Sequence, residues 1–196
     1  MKLNTTKKLV LSGLFFAIGL LLPLVTGQIP TIGRMLLPMH IPVLLCGFIC
    51  SWQYGLVVGL LLPITRFFLF TTPNLFPDAL AMTFELGAYG LLAGLAWSLI
   101  KRKNTGTAYL ALIIAMLGGR VVYGFAKLIV MGLTDLPFTW EIFLAKAFVD
   151  AIPGIVLQLI FIPGILLILG RSRFIQWDFR DDLLSEMDRW RNKTSK

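Results

Sequence analysis

The chain has 196 residues, of which 57% are hydrophobic and 14% charged, and its mean hydropathy is +0.83. A soluble globular domain does not have this composition, so that class is excluded and a membrane protein is indicated. The net charge of +8 needs no nucleic-acid partner, because membrane orientation and contact with anionic lipid headgroups account for basic clusters between apolar stretches.

Apolar stretches follow one another along nearly the whole chain, and about 20 residues are needed to cross the hydrocarbon core. No Ala-x-Ala cleavage site follows the first stretch, so it is predicted to be a span and not a signal peptide. Only Ser51 to Tyr54 separates the second stretch from the third, and a merger of the two would leave five spans. The six predicted spans are 9–27, 41–53, 54–71, 79–100, 108–133 and 142–170.

Basic residues favour six spans over five, because six spans bring all the basic clusters to one side of the membrane. These clusters are Lys2, Lys7 and Lys8, then Lys101, Arg102 and Lys103, and finally Arg171 and Arg173. The positive-inside rule makes that side cytoplasmic, so both termini are predicted to lie inside. The predicted architecture is an all-α integral membrane domain over 1–170, with an extracellular-side ligand pocket, and a cytosolic amphipathic tail over 171–196.

The first span carries small residues four apart, Gly13 and Ala17. Small residues at this spacing let another helix approach closely. The approaching helix can belong to the same chain or to a partner, and the sequence alone leaves both open.

Catalytic and metal-binding patterns are lacking in the sequence. It contains no His-Glu-x-x-His, no Asp-rich repeat and no Walker-type loop, so nucleotide hydrolysis by the chain itself is not expected. Cys46 and Cys50 are four apart on one apolar helix and are predicted to serve packing. The chain is therefore predicted to be no enzyme and to hold no metal and no cofactor.

Ionisable residues at membrane depth are the main candidates for a site, because each costs about 2.5–3.5 kcal/mol on insertion scales and normally faces a cavity or a partner. Most of them are placed in the outer half of the predicted spans, which indicates a pocket open to the outside. They are His40, Arg66, Glu85, Arg120, Lys127, Lys146 and Asp150.

Internal pairing is the alternative for these residues. Lys146 and Asp150 are four apart on one helix, and Glu85 is within reach of Arg120 across two helices. Pairing does not absorb them all, because four cations in this set face two carboxylates. The surplus favours an anionic ligand, although lysines near the end of a span also extend toward the surface.

The predicted outer loops read GQIPTIGRMLLPMH, TTPNLFPD and TDLPFTW, and proline in each restricts the backbone. Arg34, Asn74, Phe76 and Trp140 from these loops complete the predicted pocket. Aromatic residues here either stack on a flat ligand ring or belong to an interfacial aromatic belt.

The segments GRMLLPMHIPVLLCGFICSWQYGLVVGLLLP, FPDALAMTFELGAYGLLAGL and DAIPGIVLQLIFIPG, within residues 8 to 170, resemble the substrate-binding S component of an energy-coupling factor (ECF) vitamin transporter. The resemblance implies a vitamin-like small molecule bound near the extracellular face, in the cell membrane of a bacterium. It also implies a transmembrane coupling subunit and two cytosolic ATPases as partners. The family's Ala-x-x-x-Ala pattern, which meets the coupling subunit, maps onto Gly13 and Ala17, with glycine in the first place.

The surplus of cations points to an anionic vitamin, with pantothenate first and folate or a biotin-like acid behind it. An autonomous secondary transporter or an intramembrane enzyme is the alternative. A carrier of that kind is expected to show repeats with matching broken helices. Pro153-Gly154 and Pro163-Gly164 are possible breaks, but the other half has no matching pair.

Overall fold

The computed structural model describes residues 4–26, 37–100, 104–132 and 152–171, and all regular structure in these ranges is helical, as predicted. A π-helical turn, Leu75–Ala79, runs directly into the fourth helix. The six α-helices are α1 (Thr5–Thr26), α2 (His40–Cys50), α3 (Trp52–Phe70), α4 (Leu80–Leu99), α5 (Thr105–Gly132) and α6 (Ile152–Arg171).

Five helices are long and apolar enough to cross a membrane, namely α1, α3, α4 with its π turn, α5 and α6. The predicted second span at 41–53 is instead the 11-residue helix α2, which is about 16 Å long, against about 30 Å for the hydrocarbon core. Hydropathy does not reveal this difference, because α2 is apolar throughout. Six membrane crossings therefore stay a prediction.

The chain reverses direction between α2 and α3, so the predicted separation of these two helices is confirmed. Ser51 alone links them, with φ 112° and ψ 161°, which ends the helical path. A methyl group placed on Gly55 would lie 2.8 Å from the Cα of Gly47. In one continuous helix these residues would be about 12 Å apart along the axis.

Glycines bring the backbones of α3 and α4 into direct contact. A methyl group on Gly90 would lie 2.2 Å from the carbonyl oxygen of Gly55, and one on Gly59 would lie 2.3 Å from that of Leu86. Only glycine fits at such distances, and close backbone approach is a common way to hold membrane helices together. The contacts run in opposite sequence directions, so α3 and α4 are antiparallel.

Helix α4 lies at the centre of the described bundle, where it packs against α2, α3 and α5. Helix α1 packs on α2 and α3, and α6 contacts α5 and α2. Every residue of α2 except Ile41 is buried, including Cys46 and Cys50. The short helix is thus enclosed by the long ones.

Large apolar side chains cover the outside of the bundle. Val25, Phe68 and Ile168 are each more than 70% exposed, and similar residues line the outer faces of α1, α3, α5 and α6. In water such a surface would drive aggregation, whereas in a bilayer it meets lipid. Together with five long apolar helices, this surface marks a multi-pass membrane protein.

Candidate functional site

The carboxylate of Glu85 lies at the centre of a buried polar cluster formed by three helices. Its Oε1 is 2.9 Å from Nη1 of Arg120 on α5 and 3.4 Å from Nε2 of His40 at the start of α2. Glu85 is 2% exposed, His40 1% and Arg120 5%. The pairing of Glu85 with Arg120 that the sequence offered as an alternative is therefore present.

Burial decides how this ion pair affects stability. A lone carboxylate inside an apolar bundle is very costly, so Glu85 needs the opposite charge of Arg120 nearby. Removal of one partner from a buried pair destabilises a protein by about 3–5 kcal/mol, because the other charge is then uncompensated. The pair is thus needed for the fold as well as available to a ligand.

Tyr89 lies one turn after Glu85 on α4 and is fully buried. Its ring meets the imidazole of His40 edge-on, with the ring centres 4.9 Å apart and the planes at 90°. Gly119 on α5 makes room for the ring, since a methyl group there would lie 2.4 Å from Cδ2 of Tyr89. The sequence analysis did not single out Tyr89, because at membrane depth it considered only His40 and residues that are charged at neutral pH.

Several polar atoms of this cluster are buried and have no hydrogen-bond partner among the described residues. Native proteins satisfy nearly all such atoms, and each one left unpaired costs about 1–3 kcal/mol. The cluster therefore has unused capacity for a ligand that brings acceptors and donors. The atoms are Nδ1 of His40, the hydroxyl of Tyr89, and Nε and Nη2 of Arg120.

Gln158 on α6 is a second polar residue that the sequence analysis missed. Its side chain is fully buried, and neither its amide oxygen nor its amide nitrogen has a partner within the described ranges. Its neighbours Ile155 and Leu159 border the same cavity as Tyr89 and Arg120. A single glutamine inside the run IVLQLIFI was the available signal, and a search for neutral polar residues would have found it.

The cavity lies between α4, α5 and α6 and has a volume of about 150 Å³. Its wall is almost entirely apolar, so Tyr89 and Arg120 border it mainly with carbon atoms. It is lined by Tyr89, Ile113, Met116, Leu117, Arg120, Ile155 and Leu159.

Lys127 forms an ion pair with Asp78, which the sequence analysis did not count among the carboxylates. Asp78 belongs to the π turn before α4 and its side chain is 46% exposed, whereas that of Lys127 is 14% exposed. The pair connects the start of α4 to the C-terminal part of α5. It removes one cation from the predicted surplus of positive charge.

Arg66 is buried at the interface of α1 and α3. Its Nη1 donates a 2.8 Å hydrogen bond to the carbonyl oxygen of Leu20 on α1, and its guanidinium carbon is 5.4 Å from the centre of the Phe70 ring. These contacts attach Arg66 to α1, on another side of the bundle from α5. The structure therefore gives Arg66 a role in joining α1 to α3.

The other predicted site residues are not gathered at the cluster. Asn74 and Phe76 lie before α4 and are exposed. The carbonyl oxygen of Asn74 accepts a hydrogen bond from the amide of Ala79. Arg34, Trp140, Lys146 and Asp150 lie outside the described residues, so their place in the site stays a prediction.

Gly13 and Ala17 face outward from α1. Both are exposed, and a methyl group on Gly13 would have no atom within 4 Å. Ser12 is buried instead, and a methyl group on Gly19 would lie 2.7 Å from a methyl carbon of Leu62. The pair of small residues is thus available to a partner, and it does not serve packing between the described helices.

Within residues 4–26, 37–100, 104–132 and 152–171, no group of three or more His, Cys, Asp or Glu side chains is placed to hold a metal ion. His40 and Glu85 are two potential ligands, but their neighbour Arg120 is a cation. The chemistry of the cluster is therefore that of ion pairing and hydrogen bonding.

Comparison with known proteins identifies one family. The family model described as ECF transporter, substrate-specific component, matches residues 7–170. No curated protein and no solved structure matches the chain.

Proposed function

The chain belongs to the substrate-specific components of ECF transporters, and from this membership we propose that it captures a small anionic vitamin at the Glu85 cluster. Proteins of this family are non-catalytic membrane subunits that bind a small molecule and work with the subunits of an ECF module. The cargo that we propose is pantothenate first, and folate or a biotin-like acid second.

The guanidinium of Arg120 is the observation that carries the proposal. Nη1 faces Glu85, whereas Nε and Nη2 have no partner among the described residues. Nε–H and one Nη2–H point the same way and form the fork that binds a carboxylate through two parallel hydrogen bonds. All three proposed vitamins carry a carboxylate, so each can use this fork.

The proposal of an anionic cargo depends on the geometry of Arg120 more than on the surplus of cations predicted from the sequence. Asp78 compensates Lys127, and Arg66 is bound to a backbone carbonyl and a ring. Near Glu85, the groups that favour an added carboxylate are Nε and Nη2 of Arg120. His40, Glu85 and Arg120 are therefore the ligand contacts that we retain from the sequence.

The proposed orientation has the Glu85 cluster in the outer half of the membrane and both termini in the cytosol. Lys7 and Lys8 begin α1, whereas Leu20 near its other end contacts Arg66 near the end of α3. Because the chain reverses between α2 and α3, that end of α3 is the same end of the bundle as His40. Positive charge thus gathers at the end away from the cluster, as it does on the cytosolic side of membrane proteins. This orientation, with six crossings, makes the polar cluster the extracellular pocket.

The outward-facing Gly13 and Ala17 are the proposed contact with the transmembrane coupling subunit. Two cytosolic ATPases, bound to that subunit, would supply the energy for import. The described part of the chain accordingly gives α1 a free small face, on which a helix of the coupling subunit can approach closely.

Reconstitution tests this function. The purified chain in liposomes is expected to bind pantothenate, folate or biotin, and to take up none of them until the coupling subunit and the ATPases are added. Native mass spectrometry of the freshly purified protein is expected to show a bound carboxylic acid. Uptake by the chain alone would overturn the proposal that transport depends on partners. A co-purified cargo without a carboxylate would overturn the proposal that the cargo is an anion.

A further inference from the structure

Gln158 is the only polar side chain of α6 before Arg171, the last residue of that helix. It is fully buried, and neither Oε1 nor Nε2 has a hydrogen-bond partner in the described part of the chain. An amide carries both a donor and an acceptor, and burial without partners costs it the bonds that it makes with water. A buried glutamine on an apolar helix is therefore unfavourable until another group binds it.

The face of α6 that carries Gln158 points into the bundle. Ile162, one turn after Gln158, is fully buried as well, whereas Ile160 is 65% exposed. Residues four apart lie on the same side of a helix. The amide is thus directed away from the lipid and toward the neighbouring helices.

The Arg120 fork is close to this face of α6. Ile155 and Leu159, on either side of Gln158 in the sequence, border one cavity together with Tyr89 and Arg120. Helices α5 and α6 are in contact, and the axes of packed helices are about 8–10 Å apart. One small molecule is therefore long enough to reach from Arg120 to Gln158.

We propose that Gln158 binds an amide or ureido group of the cargo while Arg120 binds the carboxylate of the same molecule. Oε1 of Gln158 accepts a hydrogen bond from the N–H of that group, and Nε2 donates one to its carbonyl oxygen. This inference rests on the proposed function and narrows the cargo to small acids that also carry such a group. Pantothenate, folate and biotin all meet this requirement.

The distribution of the unpartnered atoms favours one cargo over separate partners. Tyr89, Arg120 and Gln158 come from three neighbouring helices, and each keeps buried polar atoms without a partner among the described residues. A lipid chain satisfies none of these atoms, and one buried water molecule makes only about three hydrogen bonds. An acid with an amide supplies donors and acceptors to all three residues. Because the protein covers these atoms, side chains around them move when the cargo enters.

Two small acids that differ in a single group test the role of the amide. N-acetyl-β-alanine is the amide and carboxylate part of pantothenate, and 5-oxohexanoate has CH₂ in place of its N–H. Titration calorimetry measures the affinity of each for the purified full chain in detergent. We expect N-acetyl-β-alanine to bind at least about tenfold more tightly, because 5-oxohexanoate leaves Oε1 of Gln158 unpaired. Equal affinities, or no binding of N-acetyl-β-alanine, would overturn the proposal.

Gln158→Met tests whether this preference comes from Gln158, since methionine is unbranched, apolar and of similar length. It is expected to reduce the preference for N-acetyl-β-alanine to less than about twofold. The melting temperature without added acid is expected to rise, because an unpaired amide leaves the interior. Ile162→Met, at the buried position one turn later, is the control and should leave the preference unchanged.

An unchanged preference in Gln158→Met, together with a lower melting temperature, would show that Gln158 is bonded within the chain and would overturn the proposal. If Gln158→Met does not fold, Gln158→Leu repeats the test. The comparison of the two acids on the unaltered chain needs no variant.

The two proposals fail in distinguishable ways. If vitamin binding needs Arg120 but Gln158→Met keeps the preference for N-acetyl-β-alanine, the role of Gln158 is wrong and the proposed function stands. If the preference depends on Gln158 but no proposed vitamin binds, the site takes an acid with an amide and the proposed vitamin cargo is wrong.

Discussion

Nη1 of Arg120 lies 2.9 Å from Oε1 of Glu85 on the neighbouring helix, and the same guanidinium keeps Nε and Nη2 without partners in the described part of the chain. The Arg120 side chain thus stabilises the bundle through Nη1, and its Nε and Nη2 remain for a ligand. These two roles can be separated by substitution.

Arg120→Lys keeps the positive charge but removes the planar fork. Glu85 remains compensated, so the melting temperature is expected to fall only slightly. The affinity for pantothenate is expected to fall at least about tenfold, because lysine cannot form the bidentate contact. Isothermal titration calorimetry measures the affinity, and pantothenol, which has a hydroxyl in place of the carboxylate, is the control ligand. A similar loss for pantothenol would show that Arg120→Lys acts on something other than carboxylate binding.

Glu85→Gln leaves the charge of Arg120 uncompensated inside the bundle. It is expected to destabilise the protein by about 3–5 kcal/mol, whereas Asp78→Asn, at a half-exposed ion pair, is expected to cost less than about 1 kcal/mol. Thermal unfolding in detergent compares the two. The double variant Glu85→Gln/Arg120→Gln should regain most of the lost stability, since it removes both charges. Equal losses for Glu85→Gln and Asp78→Asn would contradict the importance of burial.

Gly119→Ala is expected to displace the ring of Tyr89. The added methyl would lie 2.4 Å from that ring, which cannot bend away as an alkyl side chain can. Gly118→Ala is the matched control, because its methyl would meet only the terminal carbon of Leu92, which can change rotamer. We expect Gly119→Ala to weaken ligand binding at least about tenfold and Gly118→Ala to change it less than about twofold. Equal effects of the two would contradict the positioning of Tyr89 by Gly119.

Gly13→Leu is expected to abolish transport by the reconstituted complex and to leave the affinity for ligand unchanged, since no described atom of another helix lies near this position. Gly19→Leu is the contrast, because the new side chain would collide with Leu62 and lower the melting temperature. Uptake assays measure transport, titration calorimetry measures the affinity for ligand, and thermal unfolding measures the melting temperature. A large loss of affinity in Gly13→Leu would contradict the assignment of this face to the coupling subunit.

The pairing of Glu85 with Arg120 could be predicted from the sequence because the two residues are almost equally far from the link between their helices. Glu85 precedes the last residue of α4, Leu99, by 14 positions, and Arg120 follows the first residue of α5, Thr105, by 15. Antiparallel neighbours joined by a short link bring such positions to the same depth. Opposite charge and matching distance from the link were therefore enough to predict this pair.

Other parts of the site could not be predicted in this way. The length of α2 was missed because a buried short helix and a membrane span are equally apolar. Tyr89 and Gln158 were missed because neither is charged, and their importance depends on which face of the helix is buried. Asp78 was missed because it lies in a predicted loop, where a carboxylate is ordinarily solvated.

The glycine contacts between α3 and α4 also determine which parts of the bundle can move. With Gly90 against the backbone of Gly55, and Gly59 against that of Leu86, neither helix can rotate or slide without a collision between main chains. The two helices therefore behave as one rigid body that carries Glu85 and Tyr89. A movement that exposes Nε and Nη2 of Arg120 is therefore expected at α5, because its Gly118 and Gly119 meet side chains of α4, Leu92 and Tyr89, and not its backbone.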